Sequence, residues 1–410
     1  MDEVARATPL TTATAPSQAM RLVVLLGVVS LFADMTYEGA RSIAGPFLAT
    51  LGASGTVVGV VAGSGELAGY ALRLWSGRLA DRTHRYWAIT IAGYAVNLLA
   101  VPLLAVAGHW SLAAALMVLE RAGKAVRTPA RDVMLSYATT HTGRGWGFGL
   151  HEALDQTGAT VGPLIVAGVL LWRGDYRVAF AVLLIPACAA LALLALARMA
   201  YPRPQDLEPA AAPIAAQGFS PAFWVYVAAT CLVAAAYADY PLLAYHFERA
   251  DSVPQQWIAV LYAVAMAVDG LAALVMGRWF DRRGIVVLVG ATSLSALVAP
   301  LAFGGGFGLA VAAAVLWGIG MGAQESIMRA VIAQLTPAAR RGTAYGLFNL
   351  LFGVAWFAGS VLMGWLYDVS IPVLIAFSVS LQVAALPVFV VSARLARRTP
   401  GVIPRPRGNA

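Results

Sequence analysis

Twelve apolar segments, each close to the length of a membrane-spanning helix, recur along this chain of 410 residues. A helix needs about 20 mostly apolar residues to cross the hydrocarbon core of a bilayer. The recurrence therefore predicts an all-α polytopic membrane protein with twelve transmembrane helices. These predicted spans begin near Met20, Gly55, Trp87, Ser111, Gly145, Tyr176, Phe219, Gln255, Gly284, Phe307, Thr343 and Ile371. Charged residues make up only 12% of the chain, against about a quarter in soluble proteins, which argues against a soluble enzyme.

The formal charge of +8 lies in short arginine clusters between the apolar segments, so we expect no nucleic-acid binding. These clusters occupy alternate connections, which the positive-inside rule places in the cytoplasm. They hold Arg78, Arg82 and Arg85, then Arg131 and Arg144, Arg198 and Arg203, Arg278, Arg282 and Arg283, Arg340 and Arg341, and the tail after Arg394. We therefore expect a multi-pass protein of the cell inner membrane with both termini cytoplasmic and without a signal peptide. Cys188 and Cys231 both fall in apolar segments, so we expect no disulfide, no metal site and no cofactor.

A polar connection rich in proline and alanine divides the predicted spans six and six. The predicted organisation is a cytoplasmic N-terminal segment (1–19), a six-helix bundle (20–197), a cytoplasmic linker (198–218), a second six-helix bundle (219–393) and a basic tail (394–410). The halves repeat each other, because the segment from Gly77 to Arg82 is echoed from Gly277 to Arg282, and Asp34 in span one matches Asp239 in span seven. Two pseudo-symmetric six-helix bundles are a known transporter design, with the substrate site at the midplane between them.

The segment that follows span two resembles the signature of the major facilitator superfamily, Gly-x-Leu-Ala-Asp-Arg-x-Gly-Arg and a base. Here it runs from Gly77 to Tyr86, with His84 in place of the second glycine and Tyr86 in place of the final base. The resemblance covers essentially the whole chain and implies transport by alternating access. It also implies that Asp81 and Asp281 latch the halves together on the cytoplasmic side, at the N-termini of spans eleven and five. The gating residues that it implies here are Gly77, Asp81, Arg82, Gly277, Asp281 and Arg282.

Span five resembles the glycine motif of proton antiporters in the same superfamily. Gly149, Gly158 and the pair Gly162-Pro163 fall at the spacing of that motif, while Val166-Ala167 replaces its closing glycine pair. The resemblance implies that these residues seal the halves against proton leakage and favours efflux by antiport. Close packing of small residues between helices explains the same glycines without a role in transport.

Ionisable side chains recur inside the predicted spans, where each costs about 2.5–3.5 kcal/mol at the bilayer centre and therefore needs a partner or a function. The candidate proton carriers are Asp34, Glu38, Glu66, Asp155, Asp239, Asp269 and Glu325. These acids outnumber Arg41, Arg73, Arg121 and Arg329. An unpaired carboxyl group in an apolar interior takes up a proton readily, so we predict proton coupling with Asp34, Glu38 and Asp239 as the leading carriers. The alternative is that one-turn ion pairs, such as Glu38 with Arg41, only join helices.

One face of span one is polar, because Asp34, Tyr37, Glu38 and Arg41 are three, four and seven residues apart. We predict that this face looks into a cavity between the halves. The candidate cavity residues are Tyr37, Arg41, Tyr70, Arg73, Arg121, Tyr240, His246 and Arg329. The arginines either bind an anionic substrate or hold the carboxylates in place, and the number of acids favours the second role.

The sequence therefore predicts a monomeric, proton-coupled secondary transporter, an efflux antiporter for a small organic or drug-like compound. Its expected partners are that solute, protons and the lipid bilayer. Two alternatives keep the fold: a divalent metal carrier with Asp34, Glu38 and Asp239 as oxygen ligands, and an organic-anion carrier. A non-transporting receptor would not explain charges in both halves. We expect no enzymatic activity, since the sequence shows no nucleotide-binding loop and no paired-histidine motif.

Overall fold

A computed structural model describes residues 15–142, 144–203, 219–336 and 341–398. Within these ranges the chain is helical, with short turns and no strand. The α-helices are α1 (Ala15–Thr50), α2 (Gly55–Thr83), α3 (Tyr86–Leu103), α4 (Trp110–Thr142), α5 (Arg144–Arg173), α6 (Tyr176–Val182), α7 (Leu184–Ala200), α8 (Pro221–Ala236), α9 (Tyr240–Arg249), α10 (Gln255–Arg283), α11 (Val286–Ser295), α12 (Val298–Phe303), α13 (Phe307–Leu335), α14 (Arg341–Val369) and α15 (Ile371–Arg398). A 3-10 turn, Leu104–Val106, continues α3.

The fold is the predicted all-α membrane architecture. In the described residues, eleven helical spans are long and apolar enough to cross a membrane. Three of these spans consist of two helices in series, namely α6 with α7, α8 with α9, and α11 with α12. The remaining predicted span is α4, a continuous helix of 33 residues. It is not among the eleven, and its middle carries Glu120, Arg121, Lys124 and Arg127.

Prolines account for the three interruptions, which were not predicted from the sequence. In each interruption a proline follows the end of a helix by four residues. The pairs of helix end and proline are Val182 with Pro186, Tyr237 with Pro241, and Ala296 with Pro300. A proline lacks the N–H group for the helical hydrogen bond to that position, and its ring clashes with the same carbonyl group. Proline alone does not break a span here, because Pro46 and Pro163 lie inside continuous helices.

Glycines set the closest approaches between helices. Gly158 and Gly162 of α5 lie against the backbone of α1 at Leu31 and Met35, where an added Cβ atom would overlap with carbonyl oxygens. These glycines therefore pack two helices of the first half against each other. Between the halves, Gly45 of α1 faces the carbonyl group of Pro241, and Gly59 of α2 faces Ser360 and Gly364 of α14.

The helix bounds differ from the predicted ones in a few places. Helix α1 begins at Ala15, five residues before the predicted start, and α15 continues to Arg398. Arg131 was predicted to lie in a connection, and that prediction is wrong. It lies within α4, with its side chain 12% exposed, because Asp132, Ser30 and Asp155 surround its guanidinium group.

The bundle has two ends that differ in charge. The arginine-rich end holds Arg78, Arg82, Arg198, Arg278 and Arg282, and the opposite end holds the turn between α1 and α2.

Candidate functional site

The polar face of α1 meets charged residues of α2 and α4 inside the first half. Asp34, Tyr37 and Glu38 are all buried, and Arg41 follows one turn later on the same face. We call the acids and bases that converge here the charge cluster. Its members are Asp34, Glu38, Arg41, Glu66, Glu120, Arg121, Lys124 and Arg127.

Glu66 is the meeting point of two arginines. The Arg41 Nη2 atom lies 3.2 Å from the Glu66 Oε1 atom, and the Arg121 Nη1 atom lies 3.8 Å from the same oxygen. Arg121 also places its Nε atom 3.4 Å from the Glu120 Oε2 atom. Asn97 of α3 donates to the Glu120 Oε1 atom over 2.7 Å. Three helices are thus joined to one another by ion pairs in an apolar environment.

Asp34 and Glu38 both have basic neighbours on α4. The Lys124 Nζ atom is 3.7 Å from the Glu38 Oε1 atom and 3.8 Å from the centre of the Tyr37 ring. The Arg127 Nη2 atom is 3.9 Å from the Asp34 Oδ1 atom, and Arg127 is only 1% exposed. Lys124 and Arg127 were not counted among the bases in the sequence, so the predicted surplus of acids does not hold inside the charge cluster.

A second polar group lies nearer the arginine-rich end. Arg131 Nη1 donates to the Ser30 Oγ atom over 3.0 Å and lies 4.0 Å from the Asp155 Oδ2 atom. The His151 Nε2 atom is 3.1 Å from the Ser30 Oγ atom, and the His151 Nδ1 atom is 3.9 Å from the Asp155 Oδ2 atom. Asp155 was predicted as a proton carrier. Ser30 and His151 were missed, although His151 lies one helical turn before Asp155 and that spacing could have indicated it.

Asp239 has a different environment from its counterpart Asp34. It precedes α9 at the interruption of span seven and is 2% exposed. The Trp356 Nε1 atom donates to the Asp239 Oδ1 atom over 2.7 Å, and the Ser360 hydroxyl group donates to the Oδ2 atom. Among the described side chains, no basic group lies within 4.0 Å of this carboxyl group. Asp239 is therefore held by two neutral donors.

The interruption leaves backbone carbonyl groups that the rest of the second half satisfies. Ser378 donates to the carbonyl oxygen of Ala236 over 2.7 Å, and the Trp317 Nε1 atom donates to that of Ala238 over 2.9 Å. Interrupted membrane helices with satisfied backbone groups are typical of the substrate and ion sites of transporters.

A hydrogen bond connects the charge cluster to the second half. The hydroxyl group of Tyr262, on α10, donates to the Glu38 Oε2 atom. Both side chains are buried, and Tyr262 also packs against Tyr240 with 4.5 Å between the ring centroids. Glu38 therefore contacts Lys124 and Arg41 in its own half and a phenol in the other.

A cavity lies beside the charge cluster, between α1, α2, α3 and α4, with Pro241 of the second half at its wall. Its polar lining is Tyr37, Arg41, Glu66, Glu120 and Arg121, and its other lining residues are Ala40, Ala44, Leu48, Val58, Val61, Ala62, Val101, Leu104 and Met117. A volume of about 60 Å³ is open to the centres of water molecules. About 10–15 Å³ by this measure holds one water, so the cavity accommodates several.

The halves are bonded together at the opposite end. Asp368, near the end of α14, accepts from the backbone N–H groups of Gly55 and Thr56 over 2.8 and 2.7 Å and from the Thr56 hydroxyl group over 2.6 Å. The carboxylate thus caps the N-terminus of α2, where unpaired N–H groups and the helix dipole favour negative charge. Nearby, Tyr245 donates to the carbonyl oxygen of Ala53 over 3.0 Å.

Three of the predicted cavity residues lie elsewhere. Tyr70 packs against Phe352 of the second half, with 6.0 Å between the ring centroids. Tyr240 is fully buried and donates to the carbonyl oxygen of Ile258 over 2.7 Å. His246 is 5% exposed at the opposite end, with its Nδ1 atom 3.0 Å from the Tyr367 hydroxyl group.

Arg73 and Asp269 have other surroundings. The Arg73 guanidinium carbon lies 5.6 Å from the centre of the Tyr70 ring. Asp269 is 3% exposed, on the face of α10 that packs against Gly322.

Several residues with a predicted role have side chains that the structure does not describe. Asp81, Asp281, Gly149, Glu325 and Arg329 lie outside the described side chains, so their roles remain predictions. Gly77, Arg82, Gly277 and Arg282 are at the arginine-rich end, and both arginines are exposed. Pro163 follows Gly162 inside α5.

Comparison with known proteins gives consistent matches. The family model described as Major Facilitator Superfamily matches residues 26–248 and 240–409. An uncharacterized protein of Mycobacterium tuberculosis, Rv2265, is 46% identical over 396 residues, covering 95% of this chain and 97% of its own length. The solved structure of the nucleoside transporter NupG covers 92% of this chain and 100% of its own, with a TM-score of 0.69 and 15% identity. That of the peptide transporter POT in complex with sulfate covers 92% and 94%, with a TM-score of 0.73 and 14% identity.

Proposed function

Because this chain belongs to the major facilitator superfamily, we propose that it is a proton-coupled secondary transporter that exports a small organic solute by alternating access. The superfamily and the transporter fold support membrane transport in general. Proton coupling and export are the further steps of the proposal, and each depends on particular residues.

The observation that carries proton coupling is the environment of Asp239. A carboxylate buried in an apolar interior is unfavourable unless opposite charge or hydrogen bonds compensate it. Here the hydrogen-bond donors among the described side chains are the N–H group of Trp356 and the hydroxyl group of Ser360, and Arg41 adds an electrostatic attraction from beyond ion-pair distance. Protonation of the Oδ2 atom turns it into a donor, which the Ser360 hydroxyl group can accept, while the Oδ1 atom still accepts from Trp356. Uptake of a proton therefore reverses the hydrogen bond between Asp239 and Ser360 of α14.

The charge cluster has a different role in this proposal. The Lys124 Nζ atom lies 3.7 Å from the Glu38 carboxylate, which stays ionised while that pair persists and becomes a proton carrier only when a conformational change separates it from α4. Asp34 is buried, and its Oδ1 atom, 3.9 Å from Arg127, has no hydrogen-bond partner among the described residues. Asp239 and Asp34 are accordingly the first proton-binding residues in this proposal, and Glu38 follows them.

Alternating access requires that contacts between the halves at the two ends form in turn. The bonds of Asp368 and Tyr245 close the opposite end in this conformation. The superfamily signature implies that Asp81 and Asp281 form the contacts between the halves at the arginine-rich end, in the conformation that is open at the opposite end. We propose that the arginine-rich end faces the cytoplasm of the cell, that both termini lie there, and that the transporter acts as a monomer.

The direction of transport rests on the resemblance of the α5 glycines to the motif of proton antiporters, which implies efflux by antiport. The divalent-metal alternative gains no support, since no three His, Cys, Asp or Glu side chains in the described part of the chain are placed to hold a metal ion. The nucleoside and peptide transporters that share the fold are under 25% identical, so their solutes are not assigned to this chain.

Everted membrane vesicles test the proposal. Vesicles that contain the protein are energised to a known pH gradient and screened with a solute library for compounds whose uptake collapses that gradient. We expect at least one solute to do so with the wild type and not with Asp239→Asn. Solute uptake that is independent of the pH gradient would contradict proton coupling. Release of solute from the vesicles, driven by their acidic interior, would contradict export.

A further inference from the structure

The cavity in the first half has equal numbers of acidic and basic side chains in its wall. Arg41 and Arg121 supply two guanidinium groups, and Glu66 and Glu120 supply two carboxylates. A polar lining of this kind differs from the purely acidic or purely basic lining that would concentrate one sign of charge. The wall is therefore neutral as a whole but strongly polar at two points.

The guanidinium groups have donors that the ion pairs do not use. Arg41 and Arg121 both approach a single oxygen of Glu66, although a guanidinium group has five N–H donors. The Nε atom of Arg41 is buried and has no hydrogen-bond partner among the described residues. A buried donor without an acceptor is unfavourable, and a carboxylate is the acceptor that suits a guanidinium group best.

Charge balance then limits the rest of the ligand. A ligand with only a negative charge would leave that charge uncompensated in an apolar interior, and a ligand with only a positive charge would do the same. A ligand with one positive and one negative group preserves the balance, because its ammonium group can face Glu66 or Glu120 while its carboxylate faces the arginines. The aliphatic wall formed by Ala44, Leu48, Val58 and Val61 favours a short apolar side chain on the same molecule.

We propose that this cavity binds a small zwitterionic solute, with its carboxylate on Arg41 and Arg121, its ammonium group on Glu66 or Glu120, and a short apolar side chain against the aliphatic wall. The inference rests on the proposed function, for which it names the class of solute. The solute displaces the waters that the cavity accommodates.

Four valine derivatives test the class of ligand, since they share one side chain and differ in charge. Binding of valine, valinamide, N-acetylvaline and N-acetylvalinamide to the purified full-length protein in lipid nanodiscs is measured by calorimetry. We expect valine to bind at least tenfold more tightly than the singly charged or the neutral analogues. Binding of none of the four, or of one analogue as tightly as valine, would overturn the proposal.

Two charge-neutralising variants test the residues. Arg121→Gln should reverse the preference towards the cation valinamide, and Glu66→Gln should reverse it towards the anion N-acetylvaline, each changing the ratio of affinities at least tenfold. Arg177→Gln is the matched control, because Arg177 is a partly buried arginine of the same half that donates to the carbonyl oxygen of Ala105 and does not line the cavity. It should keep the wild-type preference.

Thermal unfolding identifies a variant that fails to fold. If either Arg121→Gln or Glu66→Gln fails to fold, the ligand preference of the other variant tests the assignment. Unchanged preference in a folded Arg121→Gln or Glu66→Gln protein would overturn the assignment. Proteoliposomes separate this inference from the proposed function. Valine transport whose rate does not depend on a pH gradient would contradict proton coupling and leave the proposed ligand class intact. Proton-coupled transport of a singly charged solute, without transport of valine, would support proton coupling and contradict the ligand class.

Discussion

Glu38 on α1 accepts a hydrogen bond from the hydroxyl group of Tyr262 on α10, so a carboxylate of one half is bonded to a phenol of the other at the centre of the bundle. The same carboxylate lies 3.7 Å from the Lys124 Nζ atom and 4.0 Å from the Arg41 Nη1 atom. Any event that protonates Glu38, or that draws Lys124 or Arg41 towards a solute, changes the bond between the halves. We therefore propose that Glu38 couples ligand binding to the conformational change.

Tyr262→Phe removes this bond between the halves. A hydrogen bond to a charged group contributes about 1.5–3 kcal/mol, so the equilibrium constant should shift by about tenfold or more away from the conformation closed at the opposite end. Distances between spin labels at Gly174 and Ala250, measured by pulsed electron resonance, report that population. Tyr226→Phe is the control, since the Tyr226 hydroxyl group donates to Met328 within the second half. Equal effects of both substitutions would contradict the coupling role.

Asp368→Asn weakens the cap on α2 from the other half. The amide keeps the shape but loses the charge that interacts with the helix dipole, worth about 0.3–1 kcal/mol, together with part of the charged hydrogen bonds. We expect labelling of a cysteine at Ala53, which is 2% exposed in this conformation, by a water-soluble reagent to accelerate severalfold. Asp175→Asn serves as control, because Asp175 caps α6 at the same end but within one half. Acceleration by both variants would show that the cap has no special role between the halves.

Gly59→Ala should disfavour the conformation described here. An added methyl group meets the backbone of α14 at Ser360 and Gly364, and overpacking of this kind costs typically about 1–3 kcal/mol. The matched control is Gly168→Ala on α5, where no atom lies within 4 Å of the added group. Spin-label distances should lengthen at the opposite end for the first variant and stay unchanged for the second. A Gly59→Ala protein with wild-type distances would refute the close approach.

Asp81→Asn tests the latch that the superfamily resemblance implies at the arginine-rich end. We expect slower solute exchange, since an amide at a helix N-terminus loses the charge–dipole interaction. Expression and the thermal unfolding temperature should stay normal, because asparagine has nearly the same shape as aspartate. Exchange rates in proteoliposomes measure the effect. Turnover equal to that of the wild type would count against the latch.

The sequence predicts the helical architecture well because spacing and hydrophobicity decide it locally. The sequence alone predicted the twelve apolar segments. It also predicted the polar face of α1, which carries Asp34, Tyr37 and Glu38. The interruption of span seven has a local signal too, since Pro241 disfavours a helix at Tyr237. Pro46 within α1 shows why that signal alone is insufficient: tertiary packing decides whether a proline interrupts a span.

The partners of each charge could not be predicted in the same way, because they come from distant helices. Counting acids against bases omitted Lys124 and Arg127, and only the packing of α1 on α4 shows that they face Glu38 and Asp34. Trp356 and Tyr262 have no charge and give no signal in a search for ionisable residues. The cap by Asp368 is likewise visible only when α14 is placed beside α2.

The most direct test of the central claim is the proton movement that accompanies solute transport by Asp239 variants. Proteoliposomes that contain a pH-sensitive dye are given a solute identified in the vesicle screen, and solute and proton fluxes are recorded together. We predict that the wild type exchanges the two, and that Asp239→Asn, in which the side chain cannot gain or lose a proton, moves solute without protons or not at all. Unchanged proton flux in a folded Asp239→Asn protein would contradict the account.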